Sequence, residues 1–208
     1  MKIAVLASGS GTNLQTLIEL LHKDETSDIE IAVVISDRQN AYALTRAKRA
    51  GIPTQVVRTN DFETRIAFDA EIAKHIDNYS VELIVLAGFM RIFQPPFVRK
   101  YHNQIINVHP SLLPAFPGAT PVVDSLAYGV KVTGVTIHFV DEGIDSGPII
   151  AQAVVPVYET DDEESLHNRI QIEEHKLYPK VIKQYAQGKI KVKGRNVIKV
   201  TNNHSSTQ

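Results

Sequence analysis

Apolar positions along the chain fall into short unbroken runs separated by helically spaced stripes. Ile3 to Ala7 is the first run and ends at Ser8-Gly9-Ser10-Gly11; Asn13 to His22 then sets Leu14, Leu17, Ile18 and Leu21 on one helical face. Ile29 to Ile35 predicts a second buried strand, followed by a helix over Ala41 to Ala50 that Gly51 closes. A third strand lies near Thr54 to Val57, and Asp61 is placed to cap a helix carrying Phe62, Ile66, Ala70 and Ala73. Leu83 to Ala87 and Ile105 to Val108 predict strands four and five. Continuous apolar strands joined by helices predict an α/β fold, with a mostly parallel open sheet covered by helices on both faces.

After Pro117-Gly118 the pattern changes. A helix near Val122 to Tyr128 leads into two long β runs, Lys131 to Val140 and Pro148 to Val157, whose short connection predicts an antiparallel C-terminal part of the sheet. A long helix follows over Asp162 to Ala186. Residues 1–188 read as a single domain, and 189–208 as a short terminal hairpin over Lys189 to Val200 with a disordered tail over Asn202 to Gln208.

Composition narrows the function classes. Lysine and arginine number 22 against 23 acids in 208 residues, a net charge of −1, so no bulk basic field exists to hold a nucleic acid or an anionic membrane. The absence of cysteine excludes disulfide scaffolds, thiolate metal sites and a cysteine nucleophile. The apolar run in MKIAVLASGSGTN is too short to span a bilayer and meets a glycine turn, so it does not read as a signal peptide. The expected compartment is the cytoplasm.

Three segments carry candidate chemistry. Ser8-Gly9-Ser10-Gly11-Thr12-Asn13 joins the first strand to the first helix, where free backbone N–H groups and the helix dipole suit a phosphate. Leu14 stands where a dinucleotide fingerprint requires a small residue and no Walker lysine follows, so the turn reads as a single-phosphate cradle; an ordinary βα turn is the plain alternative. Asn107-Val108-His109-Pro110 ends the fifth strand, and residues two apart in an extended chain point to one side. An amide donor beside an imidazole suits an oxyanion site with an acid–base group, although a strand-end histidine is often only hydrogen-bonded structure. The loop Asp141-Glu142-Gly143-Ile144-Asp145-Ser146-Gly147 lacks calcium-loop spacing and could be a solvated hairpin loop; a carboxylate from it reaching His109 would favour the protonated ring.

Taken together, NVHPSLLPAFPG at 107–118 and TGVTIHFVDEGIDSGPIIAQ at 133–152 resemble the folate-dependent formyltransferase family, which uses 10-formyltetrahydrofolate. SGSGTNLQ at 8–15, LAGFMRIF at 86–93 and HKLYPKVI at 175–182 narrow the resemblance to members that formylate glycinamide ribonucleotide in de novo purine biosynthesis, from Lys2 to about Ala186. The resemblance implies a Rossmann-like formyltransferase domain and a transfer with neither a covalent enzyme intermediate nor a metal. It implies catalytic roles for Asn107, His109 and Asp145, and ribonucleotide binding by Gly11, Thr12, Asn13 and Glu174. It further implies folate binding by Arg65, Met90, Arg91, Ile92, Phe93 and Asn107. Its small-molecule partners are glycinamide ribonucleotide and 10-formyltetrahydrofolate, and its expected assembly is a monomer or weak homodimer.

Two residues have readings of their own. Leu166, Ile170, Leu177 and Val181 form the apolar stripe of the long helix, and Glu174 falls in or beside it, unusual for an acid. Arg65, on a helix of mixed polarity, also reads as an ordinary solvated charge. Thr12 stands where serine is common in the family. Ala119-Thr120-Pro121 stands where some members carry histidines, so that loop receives no catalytic role. His138 matches a family position near the site, with a structural role equally open. Rivals within the family are transfer-RNA formyltransferases, expected to carry a further basic C-terminal domain, sugar-nucleotide formyltransferases, and a hydrolase with an N-terminal regulatory domain. A non-catalytic nucleotide-binding module would need the cradle but not Asn107, His109 and Asp145 together.

Overall fold

In the computed structural model, which describes residues 1–200, the apolar runs become β1 (Lys2–Leu6), β2 (Glu30–Ser36), β3 (Thr54–Val56), β4 (Leu83–Leu86), β5 (Ile105–His109), β6 (Val132–Phe139) and β7 (Ile149–Pro156). They form one sheet in the order β3-β2-β1-β4-β5-β6-β7. β1 to β5 pair in parallel, whereas β5–β6 and β6–β7 are antiparallel. The mixed sheet with a parallel majority agrees with the α/β expectation.

Alternation along β1 shows why both faces are covered. Ile3 and Val5 join Leu14, Leu17, Leu44, Leu166 and Ile170 in one apolar layer, while Ala4 and Leu6 join Phe68, Ile72 and Phe97 in the other. The first layer is supplied by α1 (Thr12–Leu17, continued by a wider turn over Ile18–His22), α2 (Tyr42–Arg49) and, later in the chain, the long helix; the second by α3 (Arg65–Asn78) and α4 (Pro95–Lys100). α5 (Pro121–Tyr128) precedes β6, and α6 (Glu163–Ala186) follows β7. Asp162 caps α6: its carboxylate accepts the Ser165 N–H while Ser165 reaches back to the Asp162 N–H.

Two expectations need correction. Asp61 does not cap α3. Its carboxylate is held by Arg58 through two 2.9 Å contacts, and Thr64 caps the helix instead by accepting the Ala67 N–H. Phe62 therefore lies outside the helix, packed edge-on against Phe68. α4 was not expected at all; six residues starting at Pro95-Pro96 are too few to show a period.

The chain leaves β1 towards β2 and β3, then crosses back to β4 on the other side of β1. A crevice therefore opens between the carboxyl ends of β1 and β4, where ligands bind in open α/β sheets. Beyond α6, β8 (Ile190–Lys193) and β9 (Asn196–Lys199) form a hairpin, and Arg195 in its turn donates to the Ser146 carbonyl of the acidic loop. The tail expected over 202–208 lies outside the described residues.

Candidate active site

The glycine turn is built against α2. Gly11 has φ +72°, and a Cβ there would sit 2.7 Å from the Ala43 Cβ, so glycine is required for both conformation and space. The Ala43 N–H donates to the Gly9 carbonyl, and Arg46 Nε donates to the Ser10 carbonyl at 2.9 Å. With those carbonyls engaged behind the turn, the first helical N–H groups of α1, from Thr12 onward, remain the donors of this junction.

α6 closes the same turn from the other side. Glu174 is 6% exposed and accepts from Asn13 Nδ2 at 2.8 Å, while Gln171 donates to the Thr12 hydroxyl at 2.9 Å. Burial pushes the Glu174 carboxyl above its usual range, opposed by the Asn13 amide and by the charges of His167 and His109. Asn13 Oδ1 is buried and has no partner among the described residues, which leaves an acceptor for a ligand donor. Gln171 went unnoticed in the sequence; its spacing three residues before Glu174 was the available signal.

The second cluster forms where β5 meets β6. Their register sets Asn107 opposite His138 and His109 opposite Thr136. His138 Nδ1 lies 2.9 Å from the Phe139 carbonyl and therefore carries a proton, leaving Nε2 to accept from Asn107 Nδ2 at 3.2 Å. Burial lowers the tendency of His138 to charge, and the Asp145 carboxylate only partly offsets this. The neutral ring thus orients the Asn107 amide.

His109 is 4% exposed. Its Nε2 lies 2.8 Å from the Phe116 carbonyl and its Nδ1 3.4 Å from Asp145 Oδ2. Both ring nitrogens thus face an oxygen. Asp145 Oδ2 also accepts the Gly118 N–H at 2.8 Å, and Oδ1 lies 3.6 Å from His138 Nε2. Asp145 has φ +49°, a left-handed conformation that aspartate tolerates better than most residues. The other acids of its loop are occupied elsewhere: Asp141 accepts from Gly143 N–H and the Ser146 hydroxyl, and Glu142 pairs with Arg99 at 2.7 Å. One acid in three faces the histidines.

The remaining expected positions flank β4. Ser8, at the end of β1, accepts the Met90 N–H at 2.9 Å across the crevice. Met90 and Ile92 are exposed, Arg91 Nε pairs with the buried Asp37 at 2.6 Å, and Arg65 is exposed at the first turn of α3. Phe93 is different: its ring is buried and stacked on Phe97 at 4.0 Å, so only its backbone is open to a ligand. Among the described residues no group of three or more histidine or acidic side chains could hold a metal ion, and no helix is long and apolar enough to cross a membrane.

Residues 1–182 match the formyl transferase family model. The chain is 41% identical over 192 residues to phosphoribosylglycinamide formyltransferase of Escherichia coli K12, covering 92% of this chain and 90% of that protein. It is 45% identical over 192 residues to the trifunctional purine biosynthetic protein adenosine-3 of Gallus gallus, covering 92% of this chain but only 19% of the relative's length. Against the corresponding Drosophila pseudoobscura protein it likewise spans 14% of the length. The crystal structure of glycinamide ribonucleotide transformylase 1 from Symbiobacterium toebii superposes with TM-score 0.94 at 46% identity, covering 97% of this chain and 94% of that one.

Proposed function

The chain belongs to the formyl transferase family, and from that premise we propose that it moves the formyl group of 10-formyltetrahydrofolate onto N1-(5-phosphoribosyl)glycinamide. The products are N2-formyl-N1-(5-phosphoribosyl)glycinamide and tetrahydrofolate, a one-carbon transfer of de novo purine biosynthesis. The observation that carries this reading is the convergence of Asn107, His109 and Asp145 on one β5–β6 junction, within electrostatic reach of the acid that holds the cradle.

In this reading Gly11, Thr12 and Asn13 hold the ribonucleotide phosphate, and Glu174, Gln171 and Asn13 Oδ1 meet its polar groups. Arg65 and the backbone of Met90, Arg91, Ile92 and Phe93, with Asn107, receive the folate. The neutral amine of the ribonucleotide attacks the formyl carbon, and the carbonyl π pair moves onto oxygen. The Asn107 amide and the His109 imidazolium stabilise that oxyanion; His109 turns from the Phe116 carbonyl to do so. Asp145, 3.4 Å from His109 Nδ1, orients the ring and positions a water that carries a proton from the attacking nitrogen to N10. The C–N10 bond then breaks as the carbonyl re-forms. No bond to the enzyme is made at any stage.

The same proposal places the enzyme in the cytoplasm as a monomer or weak homodimer, without a nucleic-acid or membrane partner. Its central test is the absorbance change on deformylation of a 10-formylfolate analogue. Deformylation that requires glycinamide ribonucleotide supports transfer. Equal rates without it indicate a hydrolase, and binding of both ligands without turnover indicates a non-catalytic module.

A further inference from the structure

The 87–94 loop carries no regular structure, yet several elements hold it. Ser8 accepts the Met90 N–H, Asp37 pairs with Arg91, and the Phe89, Phe93 and Phe97 rings stack at 5.6 and 4.0 Å. The last anchor comes from α3: Asp69 Oδ2 accepts the Gln94 N–H at 2.7 Å. Gln94 directly follows Phe93 and caps α4, so this bond closes the carboxyl end of the loop.

Asp69 is costly to place there. It is 4% exposed and lines, with Ile66, Ala73 and Phe97, the wall of a groove of about 420 Å³ between α3 and α4. Burial pushes its carboxyl up to about 6, against the opposing pull of the Gln94 N–H and the Arg65 charge. Packing alone would favour an apolar residue at that position. Arg65 lies one turn earlier on the same helix, so one side chain borders both segments of the proposed folate site, which are 25 residues apart in sequence (65 to 90).

We propose that Asp69 is a positioning residue: through the Gln94 backbone it fixes the Met90–Phe93 segment relative to Arg65 in the arrangement that receives the folate. It touches neither substrate. The inference rests on the assignment of Arg65 and the 90–93 segment to the folate.

The test uses three variants of the full chain, with KM for each substrate, kcat and thermal unfolding measured for all. Asp69→Ala removes the acceptor. Asp69→Asn keeps an oxygen that accepts the same N–H. Gln94→Pro removes the same donor, at φ −78°, a value proline accepts, and sets a ring carbon where the N–H pointed at Asp69. Asp69→Ala and Gln94→Pro are expected to raise KM for 10-formylfolate about tenfold, with KM for glycinamide ribonucleotide and kcat unchanged; Asp69→Asn is expected to restore the wild-type folate KM. If Asp69→Ala does not fold, Gln94→Pro and Asp69→Asn carry the test. A wild-type folate KM in folded Gln94→Pro, or a lowered melting temperature with both KM values unchanged, overturns the positioning role. A rise confined to the ribonucleotide KM overturns instead the assignment of the 90–93 segment to folate.

Discussion

The cradle at the end of β1 and the cluster at the β5–β6 junction lie on the same sheet but are built oppositely. In the cradle the donors are main-chain N–H groups, and side chains from α2 and α6 hold the turn in place from behind and from the side. In the cluster the groups brought together are the side chains of Asn107, His109, His138 and Asp145, each defined by one to three contacts of 2.8–3.6 Å. A backbone site tolerates side-chain exchange, provided the turn keeps its path. A side-chain site tolerates a shift of backbone less well, and the loss of one atom worse still.

The contrast can be broken most sharply at the cluster. His109→Ala and Asn107→Ala should each lower kcat by on the order of 10²–10³ while circular dichroism stays native. The double variant should lose far less than the product of the single losses, because in the proposed mechanism the two stabilise the same oxygen. Near-normal turnover in either single variant at saturating substrates would remove that residue from the chemistry.

At the cradle, Gly11→Val tests the backbone. The added side chain meets Ala43 and strains φ +72°, so it displaces the turn from α2. The expected result is a rise of about tenfold or more in Kd for the ribonucleotide with folate affinity unchanged, measured by calorimetry on each ligand. Equal weakening of both ligands would mean that the two sites are not independent.

Glu174 joins the two regions and gives a pH signature. Its carboxyl titrates above the ordinary glutamate value of 4.5 in the folded chain. The folded state therefore binds a proton that the unfolded state has released, and stability carried by protonated Glu174 is complete below 4.5 and lost as pH rises through the folded value. Glu174→Gln keeps an acceptor for Asn13 and should flatten melting temperature against pH in that window. Parallel curves for the two proteins would show that Glu174 does not titrate there. The smallest effect is expected at Arg195→Ala, which removes one exposed contact to the acidic loop and should alter turnover by less than about twofold. A larger loss would make the hairpin part of the cluster.

How far these features were legible in the sequence depended on range. The βα turn, the strand-end Asn-Val-His and the acidic loop all announce themselves within a dozen residues. Glu174 was visible as an acid in an apolar stripe. Asp61 misled because its side chain had two local uses, a cap or an ion pair, and Arg58 three residues away took it. His138 could not be weighed from its neighbours: its tautomer depends on Phe139, but its function in holding Asn107 depends on a residue 31 positions earlier. Gln171 and Ser8 bond to partners 159 and 82 positions away, so although Glu174 and the glycine turn stand beside them, neither partner can be read locally.

By itself the sequence determined the α/β class, the mostly parallel sheet, the glycine turn and the residues offered to the chemistry, because period, turn composition and strand ends are local properties of a chain. The tertiary structure alone decided how Asp145 is turned towards His109 while Asp141 and Glu142 are held elsewhere, which nitrogen of His138 carries its proton, and that α6 bonds to the β1 turn. Those outcomes depend on strand register and on burial, and both are set by contacts between segments more than a hundred residues apart as readily as between neighbours.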